Sequence, residues 1–170
     1  MKLLVVASFA ALAVTIGGCG YKPLRAGLEG KPRIRVVHAM THAPGGADAD
    51  VVAETEQGAR GELSRFGALA DGDGGDVDRL EIEVVRVDER SEGAMVVDGR
   101  PRARGVVLRV TARGDVEGHG ARFTTPDVDA TEVVATPGDV LGFEGARTAA
   151  VRTAARKAGA MIAREVLGVP

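Results

Sequence analysis

Cysteine and aromatic residues are scarce in this sequence. Of its 170 residues one is cysteine, one is tyrosine, four are phenylalanine and none is tryptophan. A single cysteine excludes an internal disulfide, so the one thiol needs another use. The formal net charge is −2. Binding to nucleic acid requires a basic surface with aromatic platforms for the bases, and this composition argues against it.

Long apolar runs are also scarce, and the only one lies at the start of the chain. Residues 3–16, LLVVASFAALAVTI, carry no charge and follow Met1 and Lys2. The run is shorter than the roughly 20 apolar residues that a transmembrane helix needs. A short positive start followed by an apolar core of this length is typical of a secretory signal peptide.

The cysteine lies directly behind this run. The order Ile16-Gly17-Gly18-Cys19 fits the pattern of a bacterial lipobox, in which small side chains lie next to the cleavage site. We therefore predict a lipoprotein signal peptide over residues 1–18, acylation of Cys19 and a tether over residues 19–32. Each buried methylene contributes about 0.8 kcal/mol, so several acyl chains give a lasting membrane anchor. Gly20 rather than aspartate follows the cysteine and indicates the outer membrane. The alternative is an ordinary signal peptide with a chance cysteine.

The remainder has the size of one domain. Removal of the signal peptide leaves 152 residues and one lysine fewer, so the formal net charge becomes −3. A chain of that length buries roughly 70% of its unfolded surface in one core. We predict a single domain over residues 33–170.

Hydrophobic periodicity predicts the first strand and helix. Over residues 33–38 a strand would place Ile34 and Val36 on one face and Arg35 and Val37 on the other, and we predict a strand here. Behind a Pro-Gly-Gly turn, apolar residues recur at intervals of three and four, which indicates an amphipathic helix. The predicted buried stripe of this helix is Val52, Thr55, Ala59, Leu63 and Phe66.

Three further strands and a second helix follow. Alternation predicts strands over residues 79–87 and 106–113, joined through a turn at Asp98-Gly99. A fourth strand within residues 121–135 contains Pro126, which suits only an edge or a break. Residues 145–167 predict a terminal helix whose buried stripe is Val151, Ala155, Ala158, Ile162 and Val166. The order βαβββα predicts an α+β fold, with two helices packed on one face of a mixed four-stranded sheet.

Motifs of enzymes and metal sites are weak. His38 and His42 have the spacing of two ligands on one helical turn, but they lie between a strand and a Pro-Gly turn. The loop over residues 71–78, DGDGGDVD, departs from a calcium-binding loop at its fifth and sixth positions. We predict no enzyme, no metal and no cofactor. The alternative is a metal-dependent hydrolase that uses the two histidines.

The remaining chemistry lies in an arginine cluster. Arg100, Arg102 and Arg104 follow the Asp98-Gly99 turn. Guanidinium groups bind phosphate with two parallel hydrogen bonds, so three arginines on one hairpin are candidates to contact a phosphorylated lipid headgroup. The alternative is a charged hairpin that keeps a sheet edge soluble.

Together these segments resemble the lipopolysaccharide-assembly lipoprotein family LptE. The resemblance rests on the lipobox followed by CGYKPL, the strand RIRVVHAM, a Pro-Gly turn into an amphipathic helix, the hairpin VVDGRPRARGVVLRVTARGDV and the terminal helix RTAAVRTAARKAGAMIAREVL. It implies a lipid-anchored protein on the periplasmic side of the outer membrane. In that family the lipoprotein plugs the lumen of the barrel LptD and assists lipopolysaccharide transport to the cell surface.

The resemblance also gives the arginines an expected ligand. Members of the family bind lipopolysaccharide through basic residues, which makes Arg100, Arg102 and Arg104 the candidate contacts. Expected partners are thus LptD, lipopolysaccharide and the membrane, with no nucleic acid. A rival interpretation is an auxiliary lipoprotein of an ABC-type lipid transporter, which would share the anchor and the size.

Overall fold

The computed structural model describes residues 33–41, 49–70, 77–97, 100–118, 121–135 and 140–169. These residues form five strands and two helices. The strands are β1 (Ile34–Thr41), β2 (Asp78–Val97), β3 (Arg100–Gly118), β4 (Ala121–Thr124) and β5 (Val128–Ala135). The helices are α1 (Ala49–Arg65) and α2 (Val140–Leu167). The predicted α+β class is confirmed.

The strands form one mixed sheet. β1 pairs in parallel with β2, and β2 pairs antiparallel with β3. Because β2 occupies one edge of β3, the antiparallel strands β4 and β5 share the other edge. Leu69 adds an isolated parallel bridge beside Ile34 at the outer edge of β1.

The predicted number of four strands is wrong, because the segment over residues 121–135 forms two strands. Pro126 lies between β4 and β5, and proline has no N–H to donate to a ladder. Thr125 closes this break, since its N–H donates to the Gly114 carbonyl and its hydroxyl accepts from the Gly114 N–H, both at 2.8 Å. The sheet is therefore four strands wide but contains five strands.

The central hairpin is longer than its alternation predicts. Residues 88–105, predicted as a connection, lie mostly in β2 and β3, whose pairing continues to Val97 and Arg100. A register shift between Val84 and Arg86 hides the continuity of β2, because it moves the inward positions from even to odd residue numbers. Val87 accordingly packs against the core behind the buried Val84.

Both helices cover the same face of the sheet. The predicted inward residues of β2 and β3 are all buried: Leu80, Ile82, Val84, Val106, Leu108 and Val110. In α2 the predicted stripe is buried except for Val151, which is half-buried, and the helix begins five residues earlier than expected. In α1 the ends of the stripe differ, because Val51 is buried in place of Val52 and Phe66 lies beyond the helix, 38% exposed.

The two helices touch backbone to backbone at two glycines. A Cβ added to Gly58 would lie 2.0 Å from the Arg156 carbonyl oxygen, and one added to Gly159 would lie 1.9 Å from the Thr55 carbonyl oxygen. Neither position has room for a side chain. From sequence Gly58 is only a residue that weakens α1. In the structure it is the contact that lets α1 approach α2.

A ladder of ion pairs runs beside this contact. Arg152 binds Asp50, Arg156 binds Glu54, and Arg164 Nε donates to Glu62 Oε1 at 2.6 Å. Each pair joins residues 102 positions apart. A constant separation means that α1 and α2 run in the same direction.

Within the described residues, neither α1 nor α2 is long enough and apolar enough to cross a bilayer.

The close helix contact predicts opposite effects of alanine at two glycines of α1. Gly58→Ala should lower the free energy of unfolding by about 1 to 3 kcal/mol, because the new methyl group overpacks the contact with Arg156. Urea denaturation followed by circular dichroism measures the loss.

Gly61→Ala is the matched control in the same helix. Nothing lies within 4 Å of a Cβ at this position, so alanine should raise the free energy of unfolding by about 0.5 to 1 kcal/mol through its higher helix propensity. Equal effects of the two substitutions would contradict the contact.

Candidate functional site

The three candidate arginines lie on a projecting part of the sheet. Arg100 and Arg102 pair with Val97 and Met95 of β2, and the pairing of β3 with β5 ends at Gly105. Residues 94–97 and 100–104 therefore form a two-stranded extension, which we call the arginine ribbon. Arg100, Arg102 and Arg104 occupy alternate positions of β3, and alternate positions of a strand share one face. Their backbone is described, whereas their side chains lie outside the described part.

Helix α2 fixes the base of this ribbon. A small apolar cluster of Val106, Leu108 and Val134 packs against Phe143 and neighbouring residues in the first half of α2. Arg147 Nε donates to Glu89 Oε2 at 2.6 Å, and this hydrogen bond raises the pKa of Arg147 despite partial desolvation. The arginine ribbon therefore extends from a well-packed part of the sheet.

The face of the sheet opposite the two helices, which we call the open face, is charged. Arg113 donates from Nε and Nη2 to Glu83 Oε2 at 2.8 and 2.6 Å. The hydrogen bond and the charge of Glu83 raise the pKa of Arg113 above its ordinary value. Arg86 binds Asp88 at 2.6 Å. Much of the positive charge on this face is therefore neutralised by neighbouring carboxylates.

A depression interrupts the open face at the base of the arginine ribbon. Its volume is about 600 Å³. Gly93, which lines it, has a φ of 69°, a left-handed conformation that glycine adopts more readily than other residues. The other lining residues are Asp88, Arg90, Ser91, Val107 and Arg109.

Sequence reasoning missed this depression and the part that Arg90 plays in it. Alternation correctly placed Arg109 on the outward face, where it is exposed. Arg90 lay in a stretch predicted as a connection, so it was assigned to no face. Once the register shift before Arg86 is known, the inward position of Val87 assigns Arg90, three residues later, to the outward face.

Other candidates from sequence lie elsewhere. Cys19, His42 and residues 71–76 of the predicted loop fall outside the described residues, as does the side chain of His38. Among the side chains that are described, no group of three or more histidine, cysteine, aspartate or glutamate residues is arranged to hold a metal ion.

Three solved structures of bacterial lipoproteins resemble this fold. Rare lipoprotein B from Shewanella oneidensis has a TM-score of 0.50 at 12% identity, covering 78% of this chain and 95% of that one. The minor lipoprotein from Acinetobacter baumannii has a TM-score of 0.44 at 16% identity, covering 77% and 92%. Lipoprotein B from Nitrosomonas europaea has a TM-score of 0.40 at 12% identity, covering 81% and 91%.

The similarity to rare lipoprotein B shows a shared fold. An identity of 12% is too low to carry functional residues from one chain to the other. No protein-family model matches this chain, and no curated protein matches it. The candidate site is therefore argued from this chain's own residues.

Proposed function

We propose that this protein is an outer-membrane lipoprotein, acylated at Cys19 and facing the periplasm, that assists lipopolysaccharide transport and assembly as plug and partner of the barrel LptD. The observation that carries the proposal is a fold similar to rare lipoprotein B behind a lipobox-like sequence. The resemblance to the LptE family supplies the barrel and the lipopolysaccharide.

The charged open face supports a role inside a barrel. The lumen of a large outer-membrane barrel is polar, and a plug has to bring a polar surface to it. On the open face Arg113 is held by Glu83 and Arg86 by Asp88. Paired charges can enter such an interface without leaving an unpaired charge buried, which is the expensive arrangement.

The arginine ribbon supports contact with lipopolysaccharide. From Arg100 to Gly114, β3 carries five arginines and no acidic residue. Phosphate groups are the ligand that guanidinium groups bind best, through charge-assisted and often bidentate hydrogen bonds. Among the described strands, residues 100–104 of β3 pair with β2 alone.

Purification from outer membranes tests the partner. The tagged full-length protein is extracted in mild detergent, and the proteins that come with it are identified by mass. Recovery of a large barrel supports the proposal. Recovery of inner-membrane transporter subunits without a barrel would replace it by the auxiliary-lipoprotein alternative.

The anchor gives a separate prediction. Cys19→Ser should move the protein from the membrane fraction to the soluble fraction, because the acyl chains attach outside the domain that begins at residue 33. Cell fractionation with a salt wash, followed by immunoblotting, measures the change. A serine variant that stays in the membrane pellet would contradict acylation at this residue.

The arginine ribbon gives the functional prediction. Changing Arg100, Arg102 and Arg104 together to glutamate should weaken binding of purified lipopolysaccharide by the detergent-solubilised full-length protein, because repulsion replaces charge-assisted hydrogen bonds. Changing all three to lysine should weaken it less, since the charge is kept while the planar fork is lost. Titrations at two salt concentrations measure both effects.

The control places the same charge change elsewhere. Arg65, Arg79 and Arg122 are exposed residues outside the ribbon. Their joint change to glutamate should leave lipopolysaccharide binding closer to that of the unaltered protein. Equal weakening by the two triple variants would assign the effect to net charge and remove the ribbon from the proposal.

A further inference from the structure

The depression on the open face contains two arginines that can act together. In the β2–β3 ladder Arg90 is opposite Val107, and Arg109 is opposite Asp88. Arg90 and Arg109 are therefore diagonal neighbours across two strands, a separation of roughly 7 to 8 Å that long side chains span easily. Both guanidinium groups can reach one small anion between them.

Arg90 and Arg109 make weaker or fewer contacts with carboxylates than Arg113 does. Arg109 approaches Asp129 no closer than 3.9 Å, which is beyond hydrogen-bond distance. Asp129 instead accepts a hydrogen bond from Thr111 at 2.5 Å. Among the described side chains, no ion pair involves Arg90. By contrast, Arg113 on the same face is bound twice by Glu83.

The remaining lining completes an anion site. Gly93 brings backbone without a side chain to the wall. Among the described lining residues the one carboxylate is Asp88, which is bound at 2.6 Å by Arg86, and this pairing offsets its repulsion of an anion. A volume of about 600 Å³ exceeds what one phosphate group needs, so a larger molecule that carries a phosphate can enter.

We propose that this depression is a phosphate-binding site in which Arg90 and Arg109 are the principal donors. It lies beside the arginine ribbon and is a different set of residues from Arg100, Arg102 and Arg104. The inference rests on the proposed function in one respect only, which is that the phosphate belongs to a lipid headgroup. A free phosphate ion has the same chemistry, and the test separates the two.

The test uses the full-length protein in a neutral detergent. Its binding is titrated with lipid A carrying both phosphates, with lipid A freed of phosphate and with inorganic phosphate. The double variant R90Q/R109Q should bind bisphosphorylated lipid A at least about tenfold more weakly, because two donors of charge-assisted hydrogen bonds are lost. Binding of the dephosphorylated lipid should not change.

The matched control is R113Q/R122Q. It removes two arginines from the same sheet, and both of these are near carboxylates, Glu83 and Asp115. Its affinity for bisphosphorylated lipid A should stay within about twofold of the unaltered protein. Thermal unfolding of both double variants confirms that each is folded.

Each outcome decides the proposal. Equal weakening by the two double variants, unchanged binding in R90Q/R109Q, or no binding of any probe would overturn it. Loss of inorganic phosphate binding in R90Q/R109Q, with no preference for lipid A, supports the site with a free-ion ligand. Copurification of the barrel is scored separately. If phosphate-dependent binding through Arg90 and Arg109 is found but LptD does not copurify, the proposed function is contradicted and the phosphate site is supported.

Discussion

The structure depends on the backbone contact between α1 and α2 at Gly58 and Gly159. A chain with few aromatic side chains cannot fill a wide gap between helices, so its helices have to approach closely and use small residues. Ala155 and Ala158 are fully buried along the same stretch of α2. The same device joins α2 to the sheet, because a Cβ on Gly114 would lie 2.6 Å from Ile162. Small residues in both layers therefore let aliphatic side chains close the core.

The ion-pair ladder adds direction to this contact. Exposed pairs such as Asp50 with Arg152 contribute little to stability on their own, since solvent screens them. Three pairs with the same sequence separation nevertheless agree on a single register for parallel helices, and a shift by one turn would break all of them. Glu62 is the most buried of the three acids in the ladder, and it contacts both Arg65 and Arg164. We interpret the ladder as setting the register that the glycine contact requires.

Sequence patterns predicted the fold better than they predicted the site, for physical reasons. Alternation with period two identified Leu80 and Leu108 correctly, because one face of the sheet is buried and the other is not. The alternation failed beyond Val84, where one extra residue in β2 reverses which residues face the core. The glycine contact could not be predicted, since a glycine in a helix reads locally as a weakness. The depression at Arg90 depends on that same register shift and on Gly93, and neither follows from composition or spacing.

The central strand β3 explains how a shared fold tolerates very different sequences. From Val106 to Val116 its even residues, among them Leu108 and Val110, are buried in the core, whereas Arg109 and Arg113 lie on the open face. The two sets are separated by the pleat, so a change at an odd position alters surface chemistry without changing core packing. The core positions demand only aliphatic or small residues, which many sequences satisfy. An identity of 12% with a TM-score of 0.50 is consistent with such a strand, in which packing preserves the architecture while the exposed face is free to acquire its own ligand contacts.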